Sequence, residues 1–185
     1  MIAYRQIAAK GFEGLRVREV AAQAGINNAT LHHHFPTKEA LIQGVVEHLL
    51  KEFQIGRAPR QDRGEPPPIE ELRYEFEDAR YRLRDTPEMY VVLMELYVRS
   101  RRDPAIARVF EALERQWSDH LIGILERGVR IGVFRRDLDP AGAATMIKVQ
   151  MKGLAFHVAL GKPPRAQVDR LVSQLAAETE RWLTR

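Results

Sequence analysis

Apolar residues recur along most of the chain at intervals of three and four positions, which is the period of an amphipathic helix. No stretch alternates apolar and polar residues as a half-buried strand does, and no Asn-Gly or Asp-Gly pair marks a hairpin turn. The pattern therefore predicts an all-α protein. The predicted helices cover Ala3–Lys10, Val17–Ala24, Asn27–His34, Thr37–Phe53, 69–85, 87–101, 103–131, 139–160 and 165–184.

Two segments interrupt this helical pattern. Residues 56–68 are mainly Gly, Pro and charged residues, which predicts a linker or an exposed loop. The segment 132–140 begins with Gly132, a helix-ending signal, and closes with Asp139-Pro140, a helix N-cap followed by proline. We therefore predict a domain of short helices over 1–53 and a domain of long helices over 54–185.

Composition narrows the class of protein. The chain is 45% hydrophobic and 29% charged, as globular proteins are, and its net charge of +4 permits a nucleic-acid partner without requiring one. The absence of cysteine excludes disulfide scaffolds and favours a reducing compartment. No apolar run approaches the roughly 20 residues of a membrane helix, and the N-terminus has no secretion signal. We expect a cytoplasmic protein with no membrane partner and no cofactor.

The most informative segment joins the second and third predicted helices. Gly25 supplies the left-handed residue that turns the chain sharply after a helix. Asn27 is expected to cap the next helix by accepting a hydrogen bond from the backbone N–H of Thr30, while Ile26 and Leu31 fill a small core. Two short helices joined by a tight glycine turn predict a helix-turn-helix, whose second helix enters the major groove of DNA.

The stretch Ala3–Leu41 resembles the DNA-binding domain of the TetR (tetracycline-repressor) family. It contains GF at 11–12, VREVAAQAGI at 17–26 and TLHHHFPTKEAL at 30–41, and it matches the spacing AG–x4–TL–x2–HF–x2–KE throughout. The all-α remainder resembles the larger domain of the same family. The resemblance implies a homodimeric transcriptional regulator that binds a palindromic operator in double-stranded DNA, usually as a repressor, and is released by a small-molecule effector.

The DNA contacts of the family carry over to eight positions of this chain. Arg18 is suited to a guanine edge or a phosphate, Asn28 to adenine and Ala29 to a thymine methyl group. Thr30 and Lys38 match positions that contact phosphates. The implied DNA-binding residues are Arg16, Arg18, Asn28, Ala29, Thr30, His32, His33 and Lys38.

The chain departs from the family pattern in three places. Arg16 replaces the Ser or Thr that caps the second helix, and so exchanges a cap for a phosphate contact. His32 replaces a phosphate-binding Tyr; its imidazole still donates to phosphate, with a charge that depends on pH. The family's first helix also begins about three turns before the position of Met1, so either the start is truncated or the small domain is short of core; we favour a missing N-terminal piece with a basic arm.

The larger domain contains aromatic, methionine and histidine side chains that suit an apolar ligand cavity and equally suit a packed core. By analogy with the family we expect a pocket for a mostly hydrophobic small molecule there. The expected ligand-binding residues are Phe76, Tyr90, Met94, Tyr97, Trp117, His120, Met146 and Gln150.

The last two predicted helices are apolar on two sides. A helix of this kind must bury both sides, and a two-fold axis lets two copies do so together. We therefore predict a four-helix dimer interface. Its expected residues are Ile147, Met151, Leu154, Val158, Val168, Leu171, Leu175 and Trp182.

Other functions fit the sequence less well. Successive helix residues point about 100° apart, so the run His32–His34 cannot close on one metal ion. The motifs of di-iron bundles, zinc proteases, serine hydrolases and phosphate-binding loops are missing, so we expect no enzyme. The remaining alternative is a helical interaction module that has lost DNA binding, because residues 1–40 hold five Lys or Arg against three Asp or Glu.

Overall fold

The structure, a computed structural model, describes residues 2–55 and 66–185, without the side chains of Leu50, Gln54 and Ile55. These residues form nine α-helices and no strand, so the predicted all-α fold is confirmed. Every helix boundary lies within two residues of its prediction. The predicted linker over 56–68 lies mostly outside the described residues. The helices are α1 (Ile2–Lys10), α2 (Val17–Gln23), α3 (Asn28–His34), α4 (Lys38–Ile55), α5 (Pro68–Asp85), α6 (Glu88–Ser100), α7 (Pro104–Arg130), α8 (Pro140–Gly161) and α9 (Arg165–Thr184).

The chain forms two compact units. The first consists of Met1–Ala58 together with Val91–Phe110, and the second of Pro59–Tyr90 together with Glu111–Arg185. The boundaries between the units fall inside α6 and α7, so each of these helices contributes residues to both units.

The first unit contains the tight turn between α2 and α3. The backbone N–H of Gly25 donates to Ala22 and that of Ile26 donates to Ala21, the two hydrogen bonds of a Schellman helix end. Gly25 has φ +69°, which explains why glycine is needed there. Leu31 is buried as expected, but Ile26, the residue after the turn glycine, is 38% exposed. The expectation that Ile26 fills the core is therefore wrong.

The second unit is built on a packed core of long helices. Leu72, Leu121 and Ile147 are fully buried there, one each from α5, α7 and α8. The turn after α7 folds the ring of Phe134 onto Gly128, where no side chain would fit. Asp139 then caps α8 by accepting from the N–H groups of the next turn, and Pro140 is the first helical residue, as the sequence predicts.

Candidate functional site

The third helix lies on the surface and is fixed by one inward side chain. The Asn27 side chain accepts a hydrogen bond from the Thr30 N–H at 2.6 Å, which confirms the predicted cap. Leu31 is 6% exposed and holds the helix to the unit. The other six residues of α3 are exposed. The helix thus presents a surface that is polar except for Ala29.

Most of the expected DNA-binding side chains on and around α3 are uncommitted. Among the described residues, Arg18, Asn28 and Lys38 make no side-chain hydrogen bond or ion pair, and the same holds for His32. The hydroxyl of Thr37 accepts from the Ala40 N–H at 3.0 Å, which caps α4 and places Lys38 in its first turn. Because exposed cationic and amide groups are free to donate, this surface can bind phosphates and base edges.

Arg16 behaves differently from the other expected contacts. The prediction that Arg16 would not cap α2 is confirmed. Its guanidinium donates to the backbone carbonyl of Glu13 at 2.5 Å. Its backbone N–H donates to the side-chain oxygen of the buried Gln6 at 3.2 Å. Arg16 is therefore partly occupied in supporting the turn before α2.

In the second unit, a buried carboxylate connects two of the expected ligand-binding residues. Glu75 on α5 is 9% exposed, and its two carboxylate oxygens lie 3.2 Å from Trp117 Nε1 and 3.2 Å from His120 Nε2. Glu75 is not among the ligand-binding residues expected from the sequence, although a signal existed. It lies on the apolar stripe of α5, between Leu72 and Ala79, where a charged residue has to find partners inside the protein.

The indole of Trp117 also attracts cations. The ammonium groups of Lys148 and Lys152 lie 5.9 Å and 6.0 Å from the centre of its ring. Both lysines pair with Glu114, at 3.1 Å and 2.7 Å. The ring of Trp117 therefore lies at cation–π distance from two lysines of α8.

The remaining expected ligand-binding residues are distributed over both units. Phe76 is buried in the core of the second unit, with Tyr90 packed against that core. Met94 and Tyr97 belong to the first unit, where the ring of Tyr97 packs on Phe110.

Two residues of α8 do not fit the expected pocket. Met146 is 49% exposed and Gln150 is also exposed. The inward face of α8 is occupied by Ala143, Ile147 and Val158 instead. The expectation that Met146 and Gln150 line a cavity inside the subunit is therefore wrong.

The residues expected in the dimer interface differ in how deeply they are buried. Ile147, Val158 and Val168 are buried in the core of their own subunit and are not accessible to a partner, which corrects the prediction for these three. Trp182 is exposed, with the Arg135 guanidinium 5.8 Å from the centre of its ring. Met151, Leu154 and Leu175 are half-buried against the core, and Leu171 is also half-buried.

The exposed apolar residues of α8 form a stripe that is distinct from the residues the helix buries in the core. They recur at intervals of three and four, so they lie on one side of the helix. We call them the α8 stripe: Met146, Val149, Gly153, Phe156 and Leu160.

Two negative findings apply to the part of the chain that the structure describes. None of its helices is both long and apolar enough to cross a membrane. It also contains no group of three or more His, Asp or Glu side chains arranged to hold a metal ion.

Comparison with known protein families gives matches in both parts of the chain. Residues 2–45 match the family described as bacterial regulatory proteins, tetR family. Residues 68–184 match the family described as BetI-type transcriptional repressor, C-terminal.

Individual relatives are regulators as well. The HTH-type transcriptional repressor KstR2 of Rhodococcus jostii is 26% identical over 143 residues, 75% of this chain and 67% of that protein. The HTH-type transcriptional regulator BetI of Brucella suis is 26% identical over 180 residues, 95% and 86% of the two chains. A transcriptional regulator from Saccharomonospora viridis, solved in complex with choline, superposes with a TM-score of 0.82 and 25% identity over 97% of this chain and 92% of that one.

Proposed function

The chain belongs to the TetR family of bacterial transcriptional regulators, and we propose that α3, with Arg18 and Lys38, binds its operator. The protein is a ligand-responsive DNA-binding repressor. The single observation that supports the assignment of the contacts is the exposure of α3, whose outward side chains are free while Leu31 anchors it. We further propose that the protein works in the cytoplasm by binding alone, without catalysis.

An operator can be obtained without knowing the regulated genes, by selecting duplexes from a random pool with the purified protein. We expect Arg18→Ala to weaken binding of the selected duplex by about 10- to 100-fold, as the loss of a base or phosphate contact does. Fluorescence anisotropy at two salt concentrations measures this. Arg170→Ala, an exposed arginine of α9, is the matched control and keeps the affinity. Failure to select any duplex would favour the interaction module instead.

We propose that the operator is palindromic and is bound by a homodimer in which the α8 stripe meets its copy. An exposed stripe of this length is costly in water and is matched by the same stripe on a second copy across a two-fold axis. We expect Val149→Glu to yield monomers with weak operator binding, measured by light scattering after size exclusion. Ile131→Glu, at another exposed aliphatic residue, is the control that stays dimeric. A dimeric Val149→Glu variant would refute this interface.

We propose that ligand binding selects between two spacings of the α3 helices in the dimer. Only one of these spacings matches the roughly 34 Å repeat of successive major grooves. A ligand shifts this equilibrium only as far as its affinities for the two states differ. Release of the operator by ligand therefore requires a ligand site whose affinity differs between the two spacings.

For the effector itself we propose a small molecule with a cationic head, bound near Glu75 and Trp117. A buried carboxylate beside an indole is suited to an ammonium group, and the similar regulator from S. viridis was solved with choline. We expect choline at 100 times its dissociation constant to stabilise the protein by about 2.7 kcal/mol. Its neutral isostere 3,3-dimethyl-1-butanol should have no comparable effect.

Glu75→Gln tests the role of the charge in this site. The amide has almost the same shape and still accepts a hydrogen bond from Trp117, so the fold is expected to persist. Thermal melting without ligand checks that it does. Choline should then lose its stabilising effect and its ability to release the operator. If choline and its neutral isostere act equally on the unaltered protein, the proposed cationic class is wrong.

A further inference from the structure

The last turn of α3 consists of three consecutive histidines. His32, His33 and His34 are all exposed, and the rings of His33 and His34 meet edge-on with their centres 5.5 Å apart. Within the described residues, none of the three pairs with a carboxylate. They are therefore available to a partner that approaches α3 from outside.

The geometry of a helix gives the three imidazoles different directions. With 100° per residue and Leu31 facing inward, His33 lies about 200° away, on the side opposite the core. His32 lies about 100° from Leu31 on one side of the helix and His34 about 60° from it on the other. When a helix enters a major groove, its outer side faces the base edges and its flanks face the two phosphate backbones. His32 and His34 thus face the two backbones, and His33 faces the bases.

The surroundings of the three histidines hold few negative charges. The helix packed against α3 is α2, whose charged residues are Arg18 and Glu19, and Glu19 is paired with Lys10 at 3.4 Å. The helix that follows, α4, begins with Lys38 and Glu39. The closing carbonyl groups of α3 favour positive charge near its end. A phosphate placed on either flank would be the strongest anion near His32 or His34.

We propose that His32 and His34 bind the two phosphate backbones of the operator as protonated imidazoles, so that operator affinity increases as the pH falls. This rests on the proposed DNA binding by α3. Histidine gains its proton in the range between pH 8 and pH 5, and a phosphate partner favours the protonated form. Each imidazolium that contacts a phosphate releases one further counterion from the DNA. His34 is a DNA contact that the family resemblance did not supply.

The test is the salt dependence of operator binding at two pH values. The slope of log affinity against log salt should be steeper at pH 6 than at pH 8 by about 3.6, since the dimer makes four additional phosphate contacts, two in each subunit, and each contributes about 0.9. The double variant H32Q/H34Q should lose this difference. His157→Gln, an exposed histidine of α8, should keep the difference.

A third variant separates the flanking histidines from the central one. His33→Gln should keep most of the slope difference and change the preferred operator sequence, because its side chain faces base edges. A slope that does not change with pH in the unaltered protein would overturn the inference, as would a change that persists in H32Q/H34Q. The absence of any salt-sensitive binding at pH 8 would overturn the proposed function instead, so the two failures are distinguishable.

Discussion

Two surfaces of this protein are rich in polar side chains, and they use them in opposite ways. Along α5 and α9 the side chains pair with each other: Arg73 with Glu180 at 2.7 Å, Arg80 with Ser173 at 3.0 Å and Arg84 with Asp169 at 3.5 Å. Each step forward along α5 is matched by an equal step backward along α9. On and beside α3, in contrast, Arg18, Asn28 and Lys38 have no partner among the described residues.

The difference separates polar groups that fix helix register from those that are available to a ligand. The hydrogen bond to the Glu180 carboxylate, followed by its charge, raises the pKa of Arg73 above its ordinary range. Like any arginine, it is charged at neutral pH. Because the pairs of α5 and α9 serve the fold, changes there should affect stability. Changes around α3 should affect operator affinity instead.

The largest expected effect on stability is in the second unit, at Gly128. A Cβ atom at this position would lie 2.0 Å from the ring of Phe134, which is itself buried. We expect Gly128→Ala to lower the free energy of unfolding by about 3 kcal/mol, the upper part of the range for overpacked cores. Urea unfolding followed by circular dichroism measures it.

Gly123→Ala is the matched control on the same helix, because its Cβ would meet only the end of the Arg127 side chain at 3.6 Å. Alanine favours a helix over glycine, so this variant should be as stable as the unaltered protein or more so. Equal destabilisation of both variants would contradict the packing of Phe134 on Gly128.

A smaller effect, on binding rather than stability, is expected at Asn28. Its exposed amide is suited to adenine in the major groove, so Asn28→Ala should weaken the selected operator by about 2 kcal/mol, or roughly 30-fold. The free energy of unfolding, measured with urea, should stay within about 0.5 kcal/mol of the value for the unaltered protein, as for other surface substitutions. A loss of stability as large as the loss of affinity would show that the surface around α3 is structural.

Asn27→Ala should lower both the stability of the protein and its affinity for the operator. Asn27 lies beside the polar surface of α3, but its side chain is committed to the Thr30 N–H. We expect the free energy of unfolding to fall by about 1 kcal/mol from loss of the cap, with weaker operator binding because α3 begins less rigidly. Asn27→Asp keeps an oxygen in the same place and should restore stability, measured by thermal melting.

The sequence was sufficient to predict features set by local chemistry. The caps at Asn27 and Asp139 and the turn at Gly25 depend on residues within one turn of each other, and the structure confirms all three. The helix-turn-helix could be recognised for the same reason, since its signals lie within about forty residues.

Features set by distant packing were not predictable in the same way. Helix α8 is apolar on two sides, and its period cannot tell which side its own subunit covers. The structure covers Ile147 and Val158 and leaves Val149 and Phe156 exposed. Likewise, Glu75 looks unfavourable on an apolar stripe until α7 brings Trp117 and His120 to its carboxylate.

The smallest expected effect on stability comes from the ion pair between Arg73 of α5 and Glu180 of α9. Arg73 donates through two nitrogens to both carboxylate oxygens of Glu180, yet more than half of its side chain is exposed. Exposed pairs of this kind contribute under about 1 kcal/mol, because water and salt screen them. A double-mutant cycle with Arg73→Gln and Glu180→Gln should give a coupling energy below that value, while operator affinity stays unchanged. A larger coupling would show that the pair stabilises the fold more than an exposed ion pair normally does. A loss of operator binding without a loss of stability would mean that the paired charges of the second unit also serve the DNA-bound state, and the separation between the two surfaces would fail.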